Sequence, residues 1–153
     1  MFYKIAINNI DIAVEEINKI TDNQKFNVLR EELNRTIVNA VSSIAVYYER
    51  MDYSKLAQDD DTYLRAFAYL NNQIKHDKNL NMIYYDVSGS MYPMSYPMRY
   101  GKPGVYWSDF KNNGRPNSRG KREHYDLMLR NKDIEVTLLK VKEIFDNYFE
   151  NIS

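Results

Sequence analysis

Cysteine is missing from the chain, and its absence excludes several kinds of site. Without Cys among the 153 residues there is no disulfide framework, no thiolate metal ligand and no cysteine nucleophile. Only two His are present, too few for a His-based transition-metal centre. No Walker loop, dinucleotide fingerprint or metalloprotease helix occurs. The acidic run at 59–61 favours a helix start rather than a cation site. The sequence therefore predicts neither a metal nor a cofactor.

Long apolar runs are also missing. No stretch approaches the roughly 20 apolar residues that cross a bilayer. Residues 1–17 lack the basic start, apolar core and small-residue cleavage site of a signal peptide. We expect a cytoplasmic protein with no membrane partner. Its length fits a single helical domain over residues 1–153, with an aromatic and basic insertion at about 80–122.

Glycine and proline are missing from both flanks of the chain. All five Gly and all four Pro lie between positions 89 and 120. Because these residues break regular structure, the flanks are free to be helical. Apolar residues recur at helical spacing there and predict helices at about 2–20, 25–52, 59–77 and 132–150, the last one capped by Asn131. We expect a mainly α protein: a four-helix bundle with a small β-hairpin and loop insertion between helices 3 and 4.

The middle of the chain has a different pattern. Residues 82–85 read as a strand, because they combine β-favouring side chains. Residues 98–100 and 105–107 flank Gly101-Lys-Pro-Gly104, which is typical of a hairpin turn. Residues 111–122, KNNGRPNSRGKR, predict an exposed loop.

The third predicted helix has one polar face. At about 100° per residue, Asp61, Arg65, Asn72 and His76 fall on one side and the apolar residues on the other. Asn72 and His76 are neighbours at i, i+4, and histidine as a residue type can exchange a proton near neutral pH. We therefore take His76, Asn72 and Arg65 as candidate catalytic residues. Arg65 lies about 16 Å along the axis from His76, too far for one small site unless side chains reach along the surface. The alternative is the ordinary solvated face of an amphipathic helix.

The segment Tyr69-Leu-Asn-Asn-Gln-Ile-Lys-His-Asp77 resembles the motif region of HEPN domains, helical domains of prokaryotic defence and toxin–antitoxin systems. The resemblance implies a helical bundle that pairs through its motif region. Many members are metal-independent RNases in which four to six residues separate an Arg from a following His. Before His76 these positions hold Tyr69, Leu70 and Asn71, so the Arg is absent. Without an Arg fork to stabilise charge on phosphate, the resemblance implies nucleic-acid association more than catalysis.

One literal match to the Arg–His spacing occurs elsewhere, in Arg119-Gly-Lys-Arg-Glu-His124. It contains a glycine, follows the predicted loop and lies in a densely basic stretch where such matches arise by chance. We therefore do not expect a rigid helical site there.

Basic and aromatic residues are concentrated before the last helix. From 99 to 122 there are seven basic residues and one acid, a net charge of +6. Basic side chains neutralise phosphate and aromatic rings stack on bases. The candidate nucleic-acid-binding residues are Lys75, Arg99, Lys102, Lys111, Arg115, Arg119, Lys121, Arg122, Tyr100, Tyr106 and Trp107. Two alternatives remain open: the aromatic rings pack a hairpin onto the bundle, or, with Met91, Met94 and Met98, they form a protein interface.

These observations predict a HEPN-like, RNA-associated homodimer of a bacterial defence or toxin–antitoxin type, with weak or absent RNase activity and with RNA or a nucleotide as partner. The alternative is a non-enzymatic helical module that docks a protein partner through the Tyr/Met-rich insertion.

Overall fold

The computed structural model describes residues 1–87, 103–112 and 120–152, and within them the chain is mainly helical. In chain order, these residues form α1 (Phe2–Asn18), α2 (Asn23–Glu49), a short 3-10 helix (Tyr53–Lys55), α3 (Gln58–His76), β1 (Ile83–Asp86), β2 (Gly104–Trp107), α4 (Arg122–Met128) and α5 (Ile134–Ile152). The four predicted helices are confirmed as α1, α2, α3 and α5, with ends that differ by a few residues. The prediction of four helices was wrong in number, because the described residues contain five.

The additional helix, α4, is short and lies just after the segment predicted to be a loop. Its seven residues begin Arg-Glu-His and form less than two full helical turns. A stretch of that length is too short to display helical periodicity in sequence. Tyr125 within it and Leu129 just after it are fully buried, so α4 is held by packing rather than by intrinsic propensity.

The helices form a connected set of packed neighbours. Helix α2 packs against α1 on one side and α3 on the other, α1 also packs against α5, and α4 packs against α3. Asp22 caps α2, because its carboxylate accepts a hydrogen bond from the Lys25 backbone N–H at 2.8 Å. No helix within residues 1–87, 103–112 and 120–152 combines the length and apolar character of a membrane span.

The two strands pair antiparallel. Ile83 lies opposite Trp107, and Asp86 lies opposite Gly104. Both strand segments were predicted, but the partner expected for 105–107 was the segment 98–100, which lies outside the described residues. The other edge of β2 meets the chain just before α5, where the Asn131 N–H donates to the Trp107 carbonyl at 2.9 Å.

The start of α5 differs from the prediction. Asn131 was expected to cap it, but Asn131 has a left-handed backbone (φ 61°), a conformation that Asn tolerates better than most residues. Asp133 caps α5 instead, because its carboxylate accepts from the Val136 N–H at 3.1 Å. The turn at Asn131 allows the chain to pair with β2 before the helix begins.

Trp107 lies at the centre of the core. It is fully buried, and its ring meets the edge of Phe67 with centroids 5.9 Å apart. Its indole N–H donates to the Thr137 hydroxyl at 2.8 Å, which satisfies the one polar group of the side chain. Trp107 therefore joins the two-stranded sheet to α3 and α5.

Candidate functional site

The candidate site is formed where the chain entering α4 crosses α3. Gly120 is buried there against the α3 backbone. A Cβ built on Gly120 would lie 1.8 Å from the Arg65 carbonyl oxygen and 2.8 Å from the Tyr69 nitrogen. Only glycine permits this approach, so Gly120 brings the start of α4 onto the turn of α3 that carries Arg65.

Three side chains from α2 and α3 are hydrogen-bonded in series at this crossing. The buried Tyr48 donates its hydroxyl hydrogen to one Asp61 carboxylate oxygen. Arg65 donates from Nε to the other oxygen at 3.0 Å. The Arg65 and Asp61 side chains keep 31% and 16% of their surface exposed, so the pair lies at the rim of the core. Asp61 thereby fixes the plane of the Arg65 guanidinium.

Within the described part of the chain, Nε–Asp61 is the only side-chain hydrogen bond of Arg65, and its two Nη groups make none. A guanidinium presents its donors as a planar fork that matches the oxygens of a phosphate. Because Nε is held by Asp61 and the side chain is 31% exposed, Arg65 has the geometry of an anion-binding group.

His124, on the first turn of α4, is the second component of the site. Its Nδ1 accepts a hydrogen bond from the Lys121 backbone N–H at 2.9 Å. Burial of the ring and the positive charge of Arg65 together lower the pKa of His124. At neutral pH the ring is therefore uncharged. Helix α4 packs against α3, and Gly120, four residues before His124, lies on the Arg65 carbonyl, so His124 is on the part of α4 near the Asp61–Arg65 pair.

The bond to Lys121 also determines which nitrogen carries the proton. A backbone N–H can only donate, so Nδ1 is unprotonated and the hydrogen of the neutral ring lies on Nε2. Within residues 1–87, 103–112 and 120–152, Nε2 has no hydrogen-bond partner. The site therefore offers donors, from Arg65 and from His124 Nε2. Such a set binds an anion but does not take a proton while the Lys121 bond is intact.

The three predicted catalytic residues do not converge. Arg65 belongs to the site just described, but His76 is exposed at the last residue of α3, about 16 Å farther along the axis. Lys75, beside His76, is exposed as well, and Asn72 is half-buried between the two ends. The structure therefore separates His76 from Arg65 and brings His124 to Arg65 instead.

Apart from Lys75 and Arg122, the predicted nucleic-acid-binding residues fall into three groups. Those that lie outside the described residues are Arg99, Tyr100, Lys102, Arg115 and Arg119. Lys111 and Lys121 are exposed. Tyr106 and Trp107 are buried at 7% and 0% exposure, so the prediction that they stack on bases was wrong and the packing alternative holds for both.

Arg122 has a structural environment. Its guanidinium donates to the Asp109 carboxylate at 2.6 Å, to the Phe110 carbonyl at 2.6 Å and to the Asp126 carboxylate at 2.8 Å. It also lies over the rings of Phe110 and Tyr125, at 5.1 and 5.3 Å from their centroids. With two acids and a carbonyl already bound, Arg122 ties α4 to the segment after β2 rather than presenting charge to a phosphate.

Sequence reasoning missed two members of the site. His124 was signalled by the Arg119–His124 spacing, which we discounted because Gly120 was expected to prevent a helical site. Gly120 in fact lies before the helix and enables its docking. Tyr48 had no signal beyond its place on the apolar stripe of α2.

No cluster of three or more His, Asp or Glu side chains suited to a metal ion occurs among the described residues. No protein-family model, curated protein sequence or solved structure matches the chain.

Proposed function

We propose that the chain is a HEPN-like, RNA-associated protein of a bacterial defence or toxin–antitoxin type, and that it binds an RNA phosphate at Arg65 and His124. The observation that carries the proposal is the fixed Arg65 fork, held by Asp61 at 3.0 Å, beside a neutral His124. Exposed Lys121 at the start of α4 adds positive charge next to these donors. The centre of the proposed site is thus Arg65 and His124, not His76.

The tautomer of His124 supports weak or absent RNase activity. Cleavage by the RNA 2′-hydroxyl requires a group that takes its proton. Nδ1 of His124 is occupied by the Lys121 N–H, and Nε2 already carries the hydrogen. His124 must break the bond at the start of α4 before it can accept a second proton, so we expect binding to exceed catalysis.

An RNA-binding titration with paired arginine variants tests the proposal. Replacing Arg65 by Met removes the phosphate fork, and we expect affinity for a single-stranded RNA to fall about 10- to 100-fold, the worth of a charge-assisted hydrogen bond. Arg35→Met is the matched control, because Arg35 is an exposed α2 residue paired only with Glu32 in the described part of the chain. Equal losses in both variants, or affinity that does not change with salt, would contradict the proposal.

The alternative function, a protein-interaction module, depends on the Tyr/Met-rich residues at 88–102, which lie outside the described residues. The same titration separates the two functions. Phosphate binding weakens steeply as salt rises, because each neutralised phosphate releases counterions, whereas apolar docking responds little.

A further inference from the structure

A second polar site lies at the other end of α3. A cleft of about 450 Å³ separates the N-terminal half of α2 from the loop that joins α3 to β1. Its α2 wall includes Asn27, Glu31 and Asn34, and its loop wall is formed by residues 78–81. The volume is within the range of small-molecule sites, and the lining is rich in carboxamides. Neither the sequence patterns nor the proposed phosphate site uses these residues.

The loop wall of this cleft is fixed at both ends. Asp77 closes a turn by accepting the Asn79 N–H at 3.0 Å. On the far side, the Ser108 hydroxyl donates to the Asn81 carbonyl at 2.6 Å, which anchors the loop to the segment after β2. The carboxamides of Asn79 and Asn81 are therefore carried on a constrained backbone, and little ordering is needed when a ligand binds.

The facing wall on α2 presents unpartnered carboxamides. Asn27 and Asn34 are seven residues apart, so they lie about 10 Å apart along the helix and only about 20° apart around it. Within the part of the chain that the structure describes, neither side chain makes a hydrogen bond, and the same holds for the Asn79 carboxamide. Each carboxamide has a donor and an acceptor side by side, the pattern needed to bind a base edge.

Arg30, Glu31 and Lys78 are the charged residues that line the cleft. The Arg30 guanidinium donates to the Asn81 carboxamide oxygen and lies 5.4 Å from the Phe26 ring centroid, so it is held in place on the rim. The Glu31 carboxylate, which only accepts hydrogen bonds, is exposed beside it and has no ion pair among the described residues. The cleft thus combines the Glu31 acceptor and the donors of Arg30 and Lys78 with donor–acceptor carboxamides.

The cleft and the phosphate site lie along one side of α2. Asn34 and Tyr48 are about 40° apart around the helix and about 21 Å apart along it. Tyr48 contacts Asp61 near the start of α3, and Asn34 lies across from the loop that follows α3. A single strand held by one phosphate at Arg65 can reach the cleft with a base a few nucleotides away.

We propose that this cleft is a base-recognition subsite that selects adenine in a bound single-stranded RNA. This inference rests on the proposed phosphate site. Asparagine pairs with two adjacent positions of adenine, accepting from the exocyclic amino group and donating to the ring nitrogen beside it. The Glu31 carboxylate, which only accepts hydrogen bonds, can accept from the same amino group. Recognition of the 6-amino group is therefore the property that defines the site.

The test compares two RNA octamers that differ only in that amino group: an all-adenine octamer and one in which every base is purine without the 6-amino substituent. We expect the wild-type protein to bind the adenine octamer at least about fivefold more tightly, the lower end of what one good carboxamide–base pair contributes. Asn27→Ala, at an exposed residue, removes the carboxamide oxygen that accepts from the 6-amino group and should abolish this preference. Asn39→Ala, at another exposed residue of α2 outside the cleft, should leave the preference unchanged.

Failure of the inference and failure of the proposed function give different results. If binding depends on Arg65 but both octamers bind equally, or if Asn27→Ala keeps the preference, the adenine subsite is overturned and the phosphate site stands. If neither octamer binds, or Arg65→Met binds as well as wild type, the phosphate site and the subsite that rests on it both fail.

Discussion

Gly120 lies directly on the backbone carbonyl of Arg65, at a distance that leaves no room for a side chain. A Cβ at this position would be 1.8 Å from the carbonyl oxygen, and the obstructing atoms belong to the α3 backbone. A helix backbone cannot yield as the end of a flexible side chain can. This contact brings α4, and with it His124, to Arg65.

Gly120→Ala is therefore expected to displace α4 from α3. We expect the free energy of unfolding to fall by about 3 kcal/mol, at the upper end of the usual cost of overpacking. Chemical denaturation measures this change, with Lys121→Ala at the exposed neighbouring residue as control. A Gly120→Ala variant as stable as wild type would show that the close contact is not maintained in solution.

Much of the fold could be predicted from the sequence, because α1, α2, α3 and α5 carry long apolar stripes that repeat over several turns. Pattern alone could not reveal α4, since seven residues do not complete two turns. The strand at Val105 and the strand at Ile83 were both predicted, but their pairing was not. Strand pairing joins residues that are distant in sequence, whereas the Gly101–Gly104 turn signal favoured pairing with the adjacent segment 98–100.

The candidate site was less predictable than the fold. Arg65 was identified from the polar face of α3, but a partner was sought on the same helix. His124 reaches Arg65 from a different helix, through a contact that depends on Gly120. Trp107 and Tyr106 were predicted to stack on RNA bases. Aromatic rings near basic residues occur both in nucleic-acid-binding surfaces and in hydrophobic cores, and amino-acid composition does not reveal which rings are buried.

The depressed pKa of His124 predicts a specific pH dependence of stability. Because burial and Arg65 lower this pKa in the folded protein, the unfolded chain binds more protons below the ordinary His pKa of 6.5. Stability should be unaffected by His124 above pH 6.5 and should decrease as pH falls below it. Thermal unfolding between pH 7.5 and about 5.5 measures this window.

His124→Gln should remove this part of the pH dependence, because glutamine does not titrate and its side-chain oxygen can still accept from the Lys121 N–H. His76→Gln, at the exposed end of α3, is the matched control and should retain the wild-type slope. If the two variants show the same slope, the assignment to His124 is wrong.

Thr137→Val tests the buried hydrogen bond at the centre of the core. The substitution leaves the Trp107 indole N–H without its partner, at 0% exposure, and we expect a loss of about 1–3 kcal/mol of unfolding free energy. A double-mutant cycle with Trp107→Phe isolates the bond. The second substitution removes the unsatisfied donor, so the two losses should be less than additive. Full additivity would mean that the bond contributes nothing.

The proposed family pairs through its motif region, so we expect a homodimer. Light scattering at high micromolar concentration should give twice the 18.2 kDa of one chain. A mass of one chain at that concentration would contradict the dimer, and the Arg65–His124 site would then have to act within a single protomer.

Arg122 and Lys121 are adjacent basic residues with opposite expected roles, and their variants should separate stability from RNA binding. Arg122 is hydrogen-bonded to Asp109, Asp126 and the Phe110 carbonyl, whereas Lys121 is exposed. Arg122→Met should reduce the free energy of unfolding by about 1–3 kcal/mol, because acceptors at the α4 junction lose their donor.

Lys121→Met should leave stability within about 0.5 kcal/mol of wild type, as is usual for a surface residue. It should weaken RNA binding similarly for all sequences. The slope of log affinity against log salt concentration should become less steep by about one. Denaturation and RNA titration at several salt concentrations, performed on both variants, measure these two effects. If Lys121→Met binds RNA with the wild-type salt slope, then Lys121 does not contact phosphate and the proposed interface does not include the start of α4.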